Sequence, residues 1–236
     1  APDGYTWLIT TGSHTSNSAF NQNVPYDPVR DFTPVTQLVR SFGQVLIVHP
    51  TVPAKTVQEL IALARRQPGK LNYASFGIGN ITYIAPELMK SMTGVNIVAI
   101  QYKGVGSSIS DLIGGYVDLC FCPMQAVFPL IQAGRVRAIG TTGTARQVVL
   151  PDVPTLQESG LKDFDLTGWH GMYLPAGVSP DIVSRIYSEV VRALGEADVK
   201  QRMHEMQYEI VASKPEEFTK YVAQDAAFMR DLARKI

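Results

Sequence analysis

The chain has 236 residues, 45% hydrophobic and 18% charged, enough core material for one large domain or two small ones. Its 21 basic side chains equal its 21 acidic ones, so the basic excess of a nucleic-acid groove is absent. No apolar run approaches the ~18 residues of a membrane span, and "VLIV" and "VNIVAI" have strand length.

The first residues form a turn at Pro2-Asp3-Gly4, and a strand is predicted over 5–10. With no initiator Met and no signal peptide, the start reads as the middle of a domain. "TGSHTSNSAF" (11–20) is a hydroxyl-rich loop leading into a short helix, and the three prolines of "VPYDPVRDFTP" (24–34) mark a surface connection. "VTQLV" and "QVLIVHP" are strands. Thr56-x-x-Glu59 is a capping box for a helix through "VQELIALARRQ", which Pro68-Gly69 closes.

A regular alternation follows. Strand "LNYAS" precedes a helix over 81–92, strand "VNIVAI" precedes a Gly-rich loop and short helix, strand "YVDLCFC" precedes a helix over 124–133, and strand "VRAIGT" comes next. Strands alternating with helices imply a mostly parallel α/β sheet covered on both faces. Beyond residue 150 the pattern changes: a turn-rich segment with a short helix, the extended "LTGWHGMYLP", helices over 180–194 and 197–206, strand "YEIVA", and a last helix capped by Ser213-x-x-Glu216. This block has too few strands for its own sheet and is expected to join the strands near 5–10 and 35–48. Two lobes result, with the chain crossing between them twice.

In such sheets ligands sit beyond the strands' carboxyl ends, where "SFGIGN", "QYKGVGSS" and "CPMQA" fall. Gly77 and Gly79 lack the third glycine and the acidic partner of a dinucleotide fingerprint. Two alternatives stay open: a purely structural glycine turn, or an anion site built from Ser75, the loop N–H groups and the following helix start. Pro86 falls inside that helix and predicts a kink or a late start. Tyr102 and Lys103 offer polar tips in a second loop, and "TTGSHT" (10–15) is a third hydroxyl-rich strand end.

Catalytic patterns are missing. The histidines at 14, 49, 170 and 204 are scattered, and no His-Glu-x-x-His, Gly-x-Ser-x-Gly or phosphate-loop Gly-Lys-Ser/Thr occurs. Cys120 and Cys122 share a strand face at about 6.5 Å, a poor disulfide geometry, and lack further ligands for a metal. The expectation is a binder, with no catalytic residue, metal or cofactor.

The stretches "APDGYTWLI", "VPYDPVRDFTPV", "PGKLNYASFGIGN", "YKGVGSSISDLIGG", "LPDVPTLQESG" and "WHGMYLPAGVSP" occur in that order along nearly the whole chain. In them the chain closely resembles the periplasmic substrate-binding proteins of tripartite tricarboxylate transporters, the Bug family. The resemblance implies a two-lobed α/β fold of the periplasmic-binding-protein (Venus flytrap, type II) kind, each lobe a mixed sheet flanked by helices. Lobe 1 is expected over 1–48 and 167–236, lobe 2 over 49–166. A small carboxylate or acidic amino acid is implied between the lobes, with closure about the crossovers near 40–50 and 165–175.

Carried over by residue, the resemblance gives one carboxylate to Ser75, Gly77, Gly79 and Asn80, and makes Thr11, Ser13 and Tyr102 wall contacts. The family's opening strand and Gly-rich loop are absent ahead of "PDGYT", so the first lobe is expected to lack its N-terminal segment. Many relatives carry Asp where this chain has Cys122, a ligand position suited to an amino group. Its replacement by a thiol predicts preference for a carboxylate without an ammonium group. The implied protein is a periplasmic, monomeric solute receptor that delivers its ligand to membrane permease subunits and binds no nucleic acid. The alternatives are a two-lobed α/β enzyme acting on a small anion, or a ligand-sensing domain.

Overall fold

In chain order the elements are β1 (Leu8–Thr11), α1 (Ser13–Phe20), β2 (Phe32–Ser41), β3 (Val45–Val48), α2 (Val57–Arg66), β4 (Asn72–Ser75), α3 (Ile81–Thr93), β5 (Val98–Gln101), α4 (Val105–Ile113), β6 (Leu119–Cys122), α5 (Met124–Gln132), β7 (Arg137–Thr141), β8 (Trp169–Pro175), α6 (Pro180–Gly195), α7 (Ala197–Glu205), β9 (Tyr208–Ile210) and α8 (Pro215–Ala233). The computed structural model describes residues 1–21 and 23–236. Two compact units divide them: Ala1–Ser41 with Gly168–Lys235, and Phe42–Thr167.

The first unit holds a four-stranded sheet in the order β1-β8-β2-β9. All three of its strand pairs are antiparallel. β8 is its central element, and alternation along β8 feeds two cores. Met172 and Leu174 pack with Val35 against Val183 of α6. Trp169 and Tyr173 pack on the other face against Phe218 and Val222 of α8. Phe218, Val222 and Ala226 recur at four-residue spacing and form the buried stripe of α8.

The second unit holds a mixed sheet in the order β5-β4-β6-β3-β7. β4 runs parallel to β5 and β6, while β3 is antiparallel to β6 and β7. Leu112 of α4 and Val127 of α5 pack on the face formed by Val45, Ile47, Ala74, Cys120 and Cys122.

Several elements differ from the sequence expectation for local reasons. Residues 5–7 are not strand: Tyr5 N–H donates to Asp3 Oδ1 at 3.0 Å and Trp7 Nε1 to the Gly4 carbonyl at 2.7 Å, which holds them in a local turn. β3 was expected with the first lobe, through residue 48, but its ladder partners are β6 and β7 of the second unit. No helix forms over 150–160, where Thr155 bridges to Thr141 and turns dominate. Pro86 neither delays nor splits α3, which runs unbroken through thirteen residues. Ser213 does not cap α8. Its Oγ accepts from Gln37 N–H at 3.0 Å, and Lys214 becomes the cap position, its N–H donating to Glu217 Oε2 at 3.0 Å.

Gly171 shows how tightly β8 and α8 are packed. A Cβ there would stand 2.1 Å from Phe218 Cζ, on a ring with no exposed surface. Gly171→Ala is expected to destabilise the first unit by roughly 1–3 kcal/mol through overpacking. Urea denaturation checks it, and an unchanged midpoint would show that the ring can yield.

Candidate ligand site

Because β4, β5 and β6 are parallel, their carboxyl ends at Ser75, Gln101 and Cys122 lie along one edge of the second unit's sheet. A helix starts within a few residues of each end, at Ile81, Val105 and Met124. Three positive helix ends therefore gather at one edge. The segments after the three strands, 76–80, 102–107 and 123–126, contain Lys103 and no acidic residue.

The first loop is strongly self-bonded. Phe76 N–H donates to Thr82 Oγ1 at 3.0 Å, Gly77 N–H to Ser75 Oγ at 3.3 Å, and Asn80 N–H to the Gly77 carbonyl at 3.1 Å. Asn80 caps α3, its Oδ1 accepting from both Thr82 N–H at 3.0 Å and Thr82 Oγ1 at 2.9 Å. Gly77 and Gly79 have φ of 108° and 87°, conformations that favour glycine, so both are needed for the turn itself. Ser75 is fully buried, and its hydroxyl shapes the loop from within.

The second loop is less committed. Tyr102 N–H donates to the Ser75 carbonyl at 2.8 Å and ties the two loops together. Tyr102 Oη donates to Asp111 Oδ2 at 2.7 Å. Burial first, and then that bond, push its phenol up to about 12. The N-cap of α4 is Gly104, which supplies no side-chain bond, so the first-turn N–H groups are not capped by a side chain. Gly104 has φ 169°, extended backbone open to any residue, and a Cβ at Gly104 or at Gly106 would meet nothing within 4 Å. Neither glycine is required by conformation or internal packing. Their effect is to leave the N–H groups of 104–107 approachable. In sequence this stretch reads as a Gly-rich strand end with Tyr102 and Lys103 as its polar tips; the structure places Gly104 and Gly106 at the start of α4.

The third end differs from the expectation for Cys122. Its side chain has no exposed surface and lies in the core with Cys120, Sγ to Sγ at 2.6 Å, both as free thiols. The β6 pleat that points Cys120 inward also points Cys122 inward, so this thiol offers no surface to a ligand. Pro123 caps α5 without a side-chain bond, and Ala126 N–H donates to its carbonyl at 3.1 Å.

Thr11 and Ser13 belong to the first unit. They end β1 and open α1, with their hydroxyl oxygens 2.7 Å apart. The adjacent His14 is buried, shares a 3.1 Å bond with the Pro28 carbonyl and stacks on Tyr26, and burial lowers its pKa. Burial likewise lowers that of His170. Among the described residues no group of His, Cys, Asp and Glu could hold a metal, and no helix is long and apolar enough to cross a membrane.

Two measurements check this geometry. Asn80→Ala should cost about 0.5–2 kcal/mol as a lost helix cap, read from urea midpoints. The phenol of Tyr102 is raised in the folded state, so its contribution to stability is full below the ordinary tyrosine range near pH 10 and is lost as pH rises through about 12. Tyr102→Phe should flatten that alkaline loss, and an identical alkaline profile in the variant would contradict the assignment.

Residues 1–236 match the family model described as tripartite tricarboxylate transporter family receptor. A curated relative, the UPF0065 protein in the tcbD-tcbE intergenic region of Pseudomonas sp. (strain P51), is 33% identical over 215 residues, covering 91% of this chain and 64% of its own length. The chain spans 58–64% of the length of three of the curated relatives it matches, those from Pseudomonas sp. (strain P51), Agrobacterium vitis and Bordetella pertussis. Among solved structures, R. palustris Rpa4515 with adipate aligns at TM-score 0.89 and 31% identity, over 100% of this chain and 79% of that one. The periplasmic binding protein BugD aligns at TM-score 0.89 and 28% identity, also over 100% of this chain and 79% of that one.

Proposed function

Because this chain belongs to the tripartite tricarboxylate transporter receptor family, we propose that it is a solute receptor, not an enzyme, that binds a small carboxylate at the carboxyl edge of the β4–β5–β6 ladder. The observation that carries this reading is the uncapped start of α4 with two glycines that the fold itself does not require. Backbone N–H groups there, with the helix end behind them, match an anionic oxygen that needs donors and no full counter-charge. Ser75, Gly77, Gly79 and Asn80 hold the neighbouring loop in shape and Tyr102 ties it to β5; in the first unit, Thr11 and Ser13 present hydroxyls that the family resemblance assigns to the ligand. The bound adipate of the R. palustris relative supports a dicarboxylate as the class to test first. A periplasmic location and delivery to membrane permease subunits complete the proposal, with BugD in support of the location.

The charge pattern narrows the class. No carboxylate stands in the segments after the three strands, and Asp111 already accepts from Tyr102. An α-ammonium group bound there would lose hydration without a carboxylate to offset its charge. A plain dicarboxylate such as succinate or adipate should therefore outbind aspartate and glutamate in calorimetric competition, and tighter binding of aspartate than succinate would contradict this.

The site itself is tested at Gly106. A Cβ there meets nothing within 4 Å, so Gly106→Val should leave the stability of the fold largely unchanged. The ligand should lose close approach to the α4 amides. Each lost bond to a charged oxygen is worth roughly 1.5–3 kcal/mol, so affinity should fall about 10- to 100-fold. Unchanged dicarboxylate affinity in Gly106→Val would place the site elsewhere.

A further inference from the structure

Asp225 lies on α8 in the first unit, against the start of α1. Thr15 Oγ1 makes two contacts at once: one to Asp225 Oδ2 and one, at 2.8 Å, to the Gly12 carbonyl. A hydroxyl carries one proton and can donate to only one acceptor. With an ionised carboxylate, both partners would be acceptors and one contact would lack a hydrogen. With a carboxylic acid the count closes: the Asp225 O–H donates to Thr15 Oγ1, and the Thr15 O–H donates to Gly12. The Gly12 carbonyl also accepts from Thr15 N–H at 3.2 Å and Ser16 N–H at 3.1 Å, so it anchors the first turn of α1.

We infer that Asp225 is a positioning residue: as a neutral acid it donates through Thr15 to the Gly12 carbonyl, and this relay sets the turn that carries Thr11 and Ser13. Its consequence for ligand binding rests on the reading of Thr11 and Ser13 as ligand contacts. The surroundings agree with a neutral group. None of the ion pairs among the described residues includes Asp225. Tyr173 on β8 lies within reach of its charge, Tyr221 stands four residues back on its own helix, and His14, next to Thr15 on α1, has its pKa lowered by burial. Burial is the dominant influence on Asp225 and raises its pKa, against the smaller opposing pull of Thr15 and of the Trp169 indole N–H. That indole forms no hydrogen bond of ordinary geometry. For an acid raised in the folded state, the stabilising contribution is full below the unfolded value, near 4, and is lost as pH rises through the folded one.

The test uses the whole chain without ligand first. Carboxyl-carbon NMR should show Asp225 titrating above the other aspartates. Asp225→Asn keeps a donor to Thr15, so its Tm at pH 7 should equal or exceed that of the parent and lose the fall with pH that Asp225 imposes. Asp225→Ala and Thr15→Val, which break the relay, should melt lower. Titration of Asp225 at or below the ordinary aspartate range, or an Asp225→Asn variant melting as low as Asp225→Ala, would overturn the inference. A second arm measures adipate affinity, which should fall in Asp225→Ala and be retained in Asp225→Asn. If the parent binds no carboxylate, the receptor reading fails, while titration and melting still decide the relay.

Discussion

Parallel pairing of β4 with β5 and β6 is the constraint from which the second unit follows. Parallel neighbours cannot be joined by a tight hairpin and need a crossover, here made by α3 and α4. Each crossover returns the chain to the same side, so every parallel strand ends at the same edge and hands over to a helix start there. The gathering of helix N-termini is thus a consequence of topology. What the sequence adds is the choice of which start to close and which to leave open. Asn80 closes α3 with its own side chain, whereas Gly104 leaves α4 without one.

The antiparallel first unit obeys a different logic. β8 is buried on both faces, and its alternating side chains meet α6 on one side and α8 on the other. α8 packs along its stripe against the core and also meets the turn at the start of α1 through Asp225 and Thr15. Packing and polar positioning are carried by the same helix, the stripe fixing where α8 lies and the carboxyl fixing what it holds.

Much of the fold was legible in the sequence, because period and caps are local signals. Thr56 does cap α2, its Oγ1 accepting from Glu59 N–H at 3.1 Å, and the strand–helix alternation from β4 to α5 follows the predicted order. Where the expectation failed, a long-range partner or a local turn took over. Ser213 carried a valid capping pattern, but β2 captured its hydroxyl. β3 was grouped with the first lobe, but its ladder partners come from β6 and β7, far along the chain. At the site, the loop most conspicuous in sequence, "SFGIGN", spends many of its groups on itself, because two left-handed glycines and a cap need internal bonds. The open donors of the next loop carry no side-chain signature, since backbone N–H groups are common to every residue but proline. Cys122 stood at a ligand position by resemblance, and only the pleat of β6 reveals that it faces the core.

The central claim is that a carboxylate is held by backbone donors at the carboxyl edge of the β4–β5–β6 ladder. Amide chemical-shift mapping of the isotope-labelled chain during adipate titration tests it most directly, because it reports on the N–H groups themselves. The account predicts that the largest saturable changes fall on residues 104–107, with smaller ones over 76–80. Changes confined to the groove between α6 and α8 of the first unit, around Tyr187 and Lys214, with residues 104–107 silent at saturation, would contradict it.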